Sequence, residues 1–161
     1  MRKSDFLQNT NIESRQKLEA KNFLVKDFLL HFSHALAAGN MQAITQMWGV
    51  PSYIIGNEIV MALTSQQDLQ KLFASSKEQS KSRGIASTHP SIQKIEWVNV
   101  NLAMVNVCWS YLDSSSNQLA EEIATYTLKM DESGEIKIYV ALMHGSKDLS
   151  AVSSYATSEP H

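Results

Sequence analysis

Residues 101–112 read NLAMVNVCWSYL, with Ala103, Val105, Val107, Trp109 and Tyr111 on one parity and Leu102, Met104, Cys108 and Leu112 on the other. A period of two marks a strand with one face turned to a core. What flanks this stretch makes it decisive. Downstream lie a DSSSN turn (113–117), a strand over 120–130, a tight DESG turn (131–134) and a last strand. In that last strand Ile136, Ile138, Val140, Leu142 and His144 share one parity. Upstream, Ser91 to Val100 forms another strand, opened or bulged at His89–Pro90. Long strands joined by short turns give an antiparallel meander.

The period changes towards the N-terminus. Residues 13–38 contain no Gly or Pro, and Leu18, Asn22, Val25, Leu29, Phe32 and Leu36 recur at three-and-four spacing. That predicts one long amphipathic helix. Gly39 suits the position after its C-cap, and Asn40 can N-cap a shorter helix, MQAITQMW, that buries Ile44, Met47 and Trp48. The GVP of 49–51 breaks it. SYIIGNEIVMAL (52–63) reads as two short strands about a Gly56–Asn57 turn. Ser65 with Asp68 resembles a capping box for a third helix, which buries Leu69, Leu72 and Phe73, turns polar in SSKEQSKSRG (75–84) and ends at Gly84. Helices early and strands late predict an α+β domain. Three helices from the N-terminal half pack on a strongly curved, mostly antiparallel sheet, leaving a cone-shaped pocket open at one end. The domain spans 13–146, after a flexible N-terminus (1–12) and before a Ser-rich tail (147–161) that could cover the pocket mouth.

Composition narrows the function. In 161 residues, 43% are hydrophobic and 19% charged, with a net charge of -2 and no long run of one sign. This gives no electrostatic reason for a nucleic-acid or polybasic-membrane partner. No stretch approaches the ~18 apolar residues of a membrane span, and the basic start lacks the apolar segment of a signal peptide. The single cysteine, Cys108, cannot form an internal disulfide and fits a reducing, cytoplasmic setting. Its parity makes it a small packed residue rather than a nucleophile. Asp27, His31 and His34 cluster on one helix face, but one turned away from the apolar stripe, so they read as solvated rather than as a metal site. No phosphate loop, nucleophile elbow or zinc motif is present, and no cofactor is implied.

Several short motifs, in order, resemble the nuclear transport factor 2-like superfold in its SnoaL-like branch, over roughly 14–146. They are AAGN (37–40) between the first two helices, WGVP (48–51) at the first strand, NLAMV (101–105) at a strand start, MDESGEIKI (130–138) at a turn, and HGS (144–146). In the family's version of the turn segment a Trp usually stands where this chain has Ile136. The resemblance implies the cystatin-like α+β cone. It also implies a family of isomerases, dehydratases, polyketide cyclases and members without known chemistry, so fold does not decide function. A homodimer through the outer sheet face is expected, since both strand faces carry apolar residues.

Candidate site residues follow from residue type and parity. Trp48, Tyr53, Trp109, Tyr111, Tyr126 and His144 are expected to line the cone. Phe73 and Trp97 lie in elements that should also reach it. Large rings with polar tips suit an apolar pocket with a few orienting hydrogen bonds. His144 and His89 are the acid/base candidates. Glu96 and Glu122 lie in strands, and their orientation stays open. The leading reading is a binding site for a small apolar or aromatic molecule. The alternatives are an isomerase, dehydratase or cyclase using His and Tyr, and a dimeric interaction module without a ligand.

Overall fold

The strand alternation and the helical spacing both appear in three dimensions, but with one change of register that moves the site. The computed structural model describes residues 3–148 of the protein. Along the chain come α1 (Lys3–Ala38), α2 (Met41–Gln46), β1 (Trp48–Ile55), β2 (Val60–Leu63), α3 (Gln66–Ser82), β3 (Ser87–Trp97), β4 (Leu102–Leu112), β5 (Gln118–Met130) and β6 (Ile136–Asp148). The strands form one six-stranded sheet in the order β2-β1-β6-β5-β4-β3, curled around the helices but not closed. Every neighbouring pair is antiparallel except β1 and β6, which run parallel.

The core lies between the helices and the concave sheet face. Val25, Leu29 and Phe32 of α1 meet Ile44, Trp48, Leu69 and Phe73, and Val105, Val107, Trp109 and Ile138 face them from the sheet. Full burial of each such aliphatic or aromatic side chain contributes about 1.5–3 kcal/mol. Caps fix the helix starts. Asn40 Oδ1 accepts from the Ala43 N–H at 3.2 Å, and Ser65 Oγ from the Asp68 N–H at 3.1 Å. Asp68 Oδ2 in turn accepts from the Thr64 N–H at 3.0 Å. The donors on Thr64 hold the Asp68 carboxyl below its ordinary range.

Four boundaries differ from expectation. α1 begins at Lys3 rather than 13, because residues 3–12 hold no Gly or Pro to stop it. Trp48 opens β1 instead of closing α2. β3 begins at Ser87, ahead of Pro90, an early strand position where a missing N–H is tolerated. β6 runs on to Asp148, into the expected tail, whose residues 149–161 lie outside the described ones.

The register of β6 matters more. Leu128 pairs with Ile138, yet Thr127 pairs with Val140, so Tyr139 is an extra residue opposite β5. Such a bulge reverses the faces of everything beyond it. Ile136 and Ile138 point to the core. Beyond Tyr139, Ala141 and Met143 face inward, while Val140 and Leu142 face out. A second shift falls at His144, since Ala124 pairs with Met143 and Ile123 with Gly145. The β1–β6 pairing slips at the same level, from Trp48–Ile138 to Tyr53–Val140.

The Tyr139 ring packs on Gly49, where any added methyl would overlap it. Gly49→Ala should therefore destabilise the protein by about 1–3 kcal/mol. In a Tyr139→Ala background the same change should cost much less. Urea melts of the four proteins of this double-mutant cycle check it, and equal costs in both backgrounds would refute the ring–glycine contact.

Candidate functional site

Between the helix layer and the concave sheet lies a cavity of about 620 Å³. Its apolar wall comes from every layer: Phe32 and Leu36 of α1, Ile44 of α2, Leu72 and Phe73 of α3, and Trp48 and Ile54 of β1. β4, β5 and β6 supply Trp109, Tyr111, Glu122, Tyr126, Ala141 and Met143. The lining residues Lys77, Lys81, Arg83 and Gly84, at the end of α3, are exposed, so the cavity opens there.

Strand pairing explains the polar wall. Trp109 and Glu122 are direct partners across β4 and β5, and Tyr111 pairs with Ala120 next to them. Trp109 Nε1–H donates to Tyr126 Oη at 2.8 Å, with the two rings perpendicular. Tyr126 thus accepts from the indole and keeps its own proton to donate. Burial pushes the Glu122 carboxyl above its ordinary range, against the opposing pull of the Tyr111 hydroxyl and the Arg83 charge. Burial, reinforced by Glu122, also raises the Tyr111 and Tyr126 phenols, so both remain protonated donors at neutral pH. The Trp48 Nε1–H is buried without a protein partner. A carboxyl of raised pKa, two phenols and one unpartnered indole N–H therefore sit among the rings and aliphatic groups of the wall, and Ser76, Gln79, Ser80, Ser87 and Thr88 complete its uncharged polar lining.

Of the residues expected in the pocket, Trp48, Trp109, Tyr111 and Tyr126 line it, as does Phe73. Tyr53 and His144 do not. Tyr53 pairs with Val140 beyond the Tyr139 bulge and stands 43% exposed on the outer face. His144 lies beyond the same bulge, on the same outer face. His89, opposite Ser110, also faces out and is exposed. Trp97 leaves the cavity for α1, where its Nε1–H donates to Asn22 Oδ1 at 2.8 Å and Lys21 lies over its ring. Of the two open glutamates, Glu122 turns in, while Glu96 turns out and lies 3.6 Å from Lys94. Glu122 shares parity with Ala120, Ala124 and Tyr126, which is the signal that could have placed it. No local pattern marks Lys77, Lys81 and Arg83 as cavity residues, because the wall facing them comes from distant strands.

His144 has a different role. Thr125 Oγ1 donates to Asn106 Oδ1 at 2.8 Å, so at 2.7 Å it accepts from His144 Nε2–H. This chain crosses three strands on the outer face, beside a shallow depression that also includes Asn57, Lys94 and Glu96. Cys108 is on that face too, its thiol pushed up by burial. Among the described residues, no three His, Cys, Asp or Glu side chains gather as a metal site. Nor is any helix there long and apolar enough to cross a membrane.

Comparison with known proteins identifies the fold family. An NTF2-like protein of unknown function from Shewanella oneidensis is 13% identical, with a TM-score of 0.61 over 77% of this chain and 98% of that one. An NTF2-like protein with a cystatin-like fold from Novosphingobium aromaticivorans is 10% identical, with a TM-score of 0.63 over 94% and 97%. A ketosteroid isomerase-like protein from Erwinia carotovora atroseptica is 10% identical, with a TM-score of 0.57 over 75% and 92%. At these identities the likeness is one of fold. No curated protein is significantly similar in sequence. The family model for NTF2-like protein (DUF6841) matches residues 17–146. The chain belongs to that NTF2-like family.

Proposed function

We propose that the cone binds a small apolar or aromatic molecule bearing a polar group. The observation that carries this is the cavity of about 620 Å³, apolar on most sides and edged by a few converging polar groups. Such a volume and lining suit a small-molecule site. The rings of Phe32, Trp48 and Trp109 offer faces and edges to an aromatic ligand. Ala141 is 2% exposed and lines the wall beside Tyr126, so a larger side chain there occupies the ligand's space. Calorimetric titration with 2-naphthalenemethanol should give binding in the wild type. Ala141→Leu should weaken it about tenfold or more without lowering Tm, because the added atoms enter a void. Absence of binding in the wild type, or unchanged binding in the variant, would overturn the reading.

Acid/base catalysis of isomerase or dehydratase type is the second reading. It is favoured by Glu122, which has the raised pKa useful to a general base, beside two phenols able to hold a developing oxyanion. The histidines first considered for that role face away from the cavity. The protonation of Glu122 also has a stability consequence. Its folded-state pKa is raised, so ionisation costs stability above that value, and below the ordinary glutamate range both folded and unfolded states are protonated. Glu122→Gln should thus raise Tm at about pH 7, and the gain should vanish at about pH 4. Scanning calorimetry at the two pH values checks the sign. Under the catalytic reading the wild type, but not this variant, also exchanges the methyl protons of bound 2-acetylnaphthalene with deuterated water.

We propose a second copy of the chain as partner for the outer sheet face. Tyr53, Ile55, Val60 and Ile123 are exposed there, and Lys94 and Glu96 supply both charges next to them. A two-fold contact needs such a self-complementary patch. Light scattering at about micromolar concentration should give a dimer, and Ile123→Lys a monomer with unchanged circular dichroism; a monomeric wild type would refute it.

A further inference from the structure

We infer that the ligand of the cavity is an organic anion: an apolar or aromatic body carrying a carboxylate or similar group, held with its charge at the mouth. This rests on the binding reading above and narrows it. The charged side chains that line the cavity are Lys77, Lys81, Arg83 and Glu122. The three cations all come from the last two turns of α3 and the residue after it. Glu78, on the same helix, is not part of the lining. Among the described residues, no carboxylate lies within ion-pair distance of these cations.

A simpler account is that the cations serve helix ends. Lys81 and Arg83 sit at the C-terminus of α3, and the Lys77 amine rests against Gly39, just past the C-terminus of α1. Each helix end amounts to roughly half a negative charge, so two ends offset about one of the three cations. Glu122 offsets at most one more, and burial favours its neutral form. The mouth is left with an excess of positive charge. Inside, the Trp48 N–H lacks an acceptor, and Tyr126 accepts from Trp109 with its proton still to give. Ser76, Gln79, Ser80, Ser87 and Thr88, also in the lining, can both donate and accept, so the excess of positive charge at the mouth decides the polarity, and the complementary ligand brings negative charge. Its apolar part meets the rings of Phe32, Trp48 and Phe73.

Three probes that share one ring system and differ in charge test this: 2-naphthoate, 2-naphthalenemethanol and 2-naphthylmethylammonium, titrated calorimetrically into the full chain. Naphthoate should bind about tenfold more tightly than the alcohol, and the ammonium compound most weakly. The advantage of naphthoate should shrink on going from about 0.02 to about 0.5 M NaCl. It should also collapse in a Lys77→Gln/Lys81→Gln/Arg83→Gln variant, read as the ratio of naphthoate to alcohol affinity in that one protein. These side chains are exposed, so the variant should keep the wild-type fold, checked by its circular dichroism. If the alcohol binds as tightly as naphthoate, or the preference survives in the variant, the anion class fails and the cavity reading stands. If none of the three binds, both fail.

Discussion

The Phe32 ring is the point on which the structure turns. It meets Trp48 at 6.3 Å, Phe73 at 6.4 Å and Trp109 at 5.9 Å between centroids, each pair edge to face. Trp48 and Phe73 close the set at 5.4 Å. The four rings come from four different elements: α1, β1, α3 and β4. Edge-to-face pairs contribute about 0.5–1.5 kcal/mol each beyond burial, so they tie helices and sheet together at one place. Rigid rings also keep the layers apart. Side chains of this size brace α1 and α3 away from the concave sheet, and the space beyond them is the cavity. The hydrophobic floor and the opening above it are two results of one packing arrangement.

Most of the fold was legible because it follows from local rules. The three-and-four spacing of Val25, Leu29, Phe32 and Leu36 needs one amphipathic helix, and the alternation over 103–111 needs a strand. Asn40 and Ser65 cap helices because their side-chain oxygens reach the free N–H groups of the first turn. Gly39 takes φ +64°, as a residue past a helix end often must. What these rules do not carry is register between strands far apart in sequence. The parallel pairing of β1 with β6 links residues about ninety positions apart, and no period in either segment announces it.

The site was legible only to the same extent. Trp109, Tyr111 and Tyr126 fell where unbroken alternation placed them. His144 did not, because parity counted from Ile136 assumes a strand without insertions, and Tyr139 is one; Tyr53 did not, because in β1 it alternates with Ile54, which takes the cavity-facing place. The His144 side chain instead completes a hydrogen-bonded row with Thr125 and Asn106. Those three polar residues on three strands satisfy one another on a face that is otherwise partly apolar. Glu122 was within reach of the same parity argument, since Ala124 and Tyr126 share its face. It went unassigned because an isolated strand carboxylate more often faces water, and burying one costs free energy. The basic mouth lay outside sequence logic altogether: Lys77, Lys81 and Arg83 look like an ordinary solvated helix end until distant strands bring a cavity beside them.

The Tyr139 bulge also decides which side chains line the cavity. With continuous alternation, Val140 and Leu142 would join Ile136 and Ile138 on the inner wall, and His144 would follow them in. The bulge substitutes Ala141 and Met143 there. Ala141 pairs with Tyr126, so the smallest side chain of that stretch stands beside the ring whose hydroxyl receives the Trp109 indole hydrogen bond. A valine or leucine at that level would fill part of the space in front of Tyr126. The same shift sends the branched residues outward, where they join Tyr53 and Ile55 in the apolar outer face. One inserted residue thus shapes the inner wall and leaves apolar side chains on the opposite face, and Gly49 is the residue whose missing side chain leaves room for it. On this argument Gly49, Tyr139 and Ala141 form one constraint, and the cavity depends on their agreement more than on any single group that lines it.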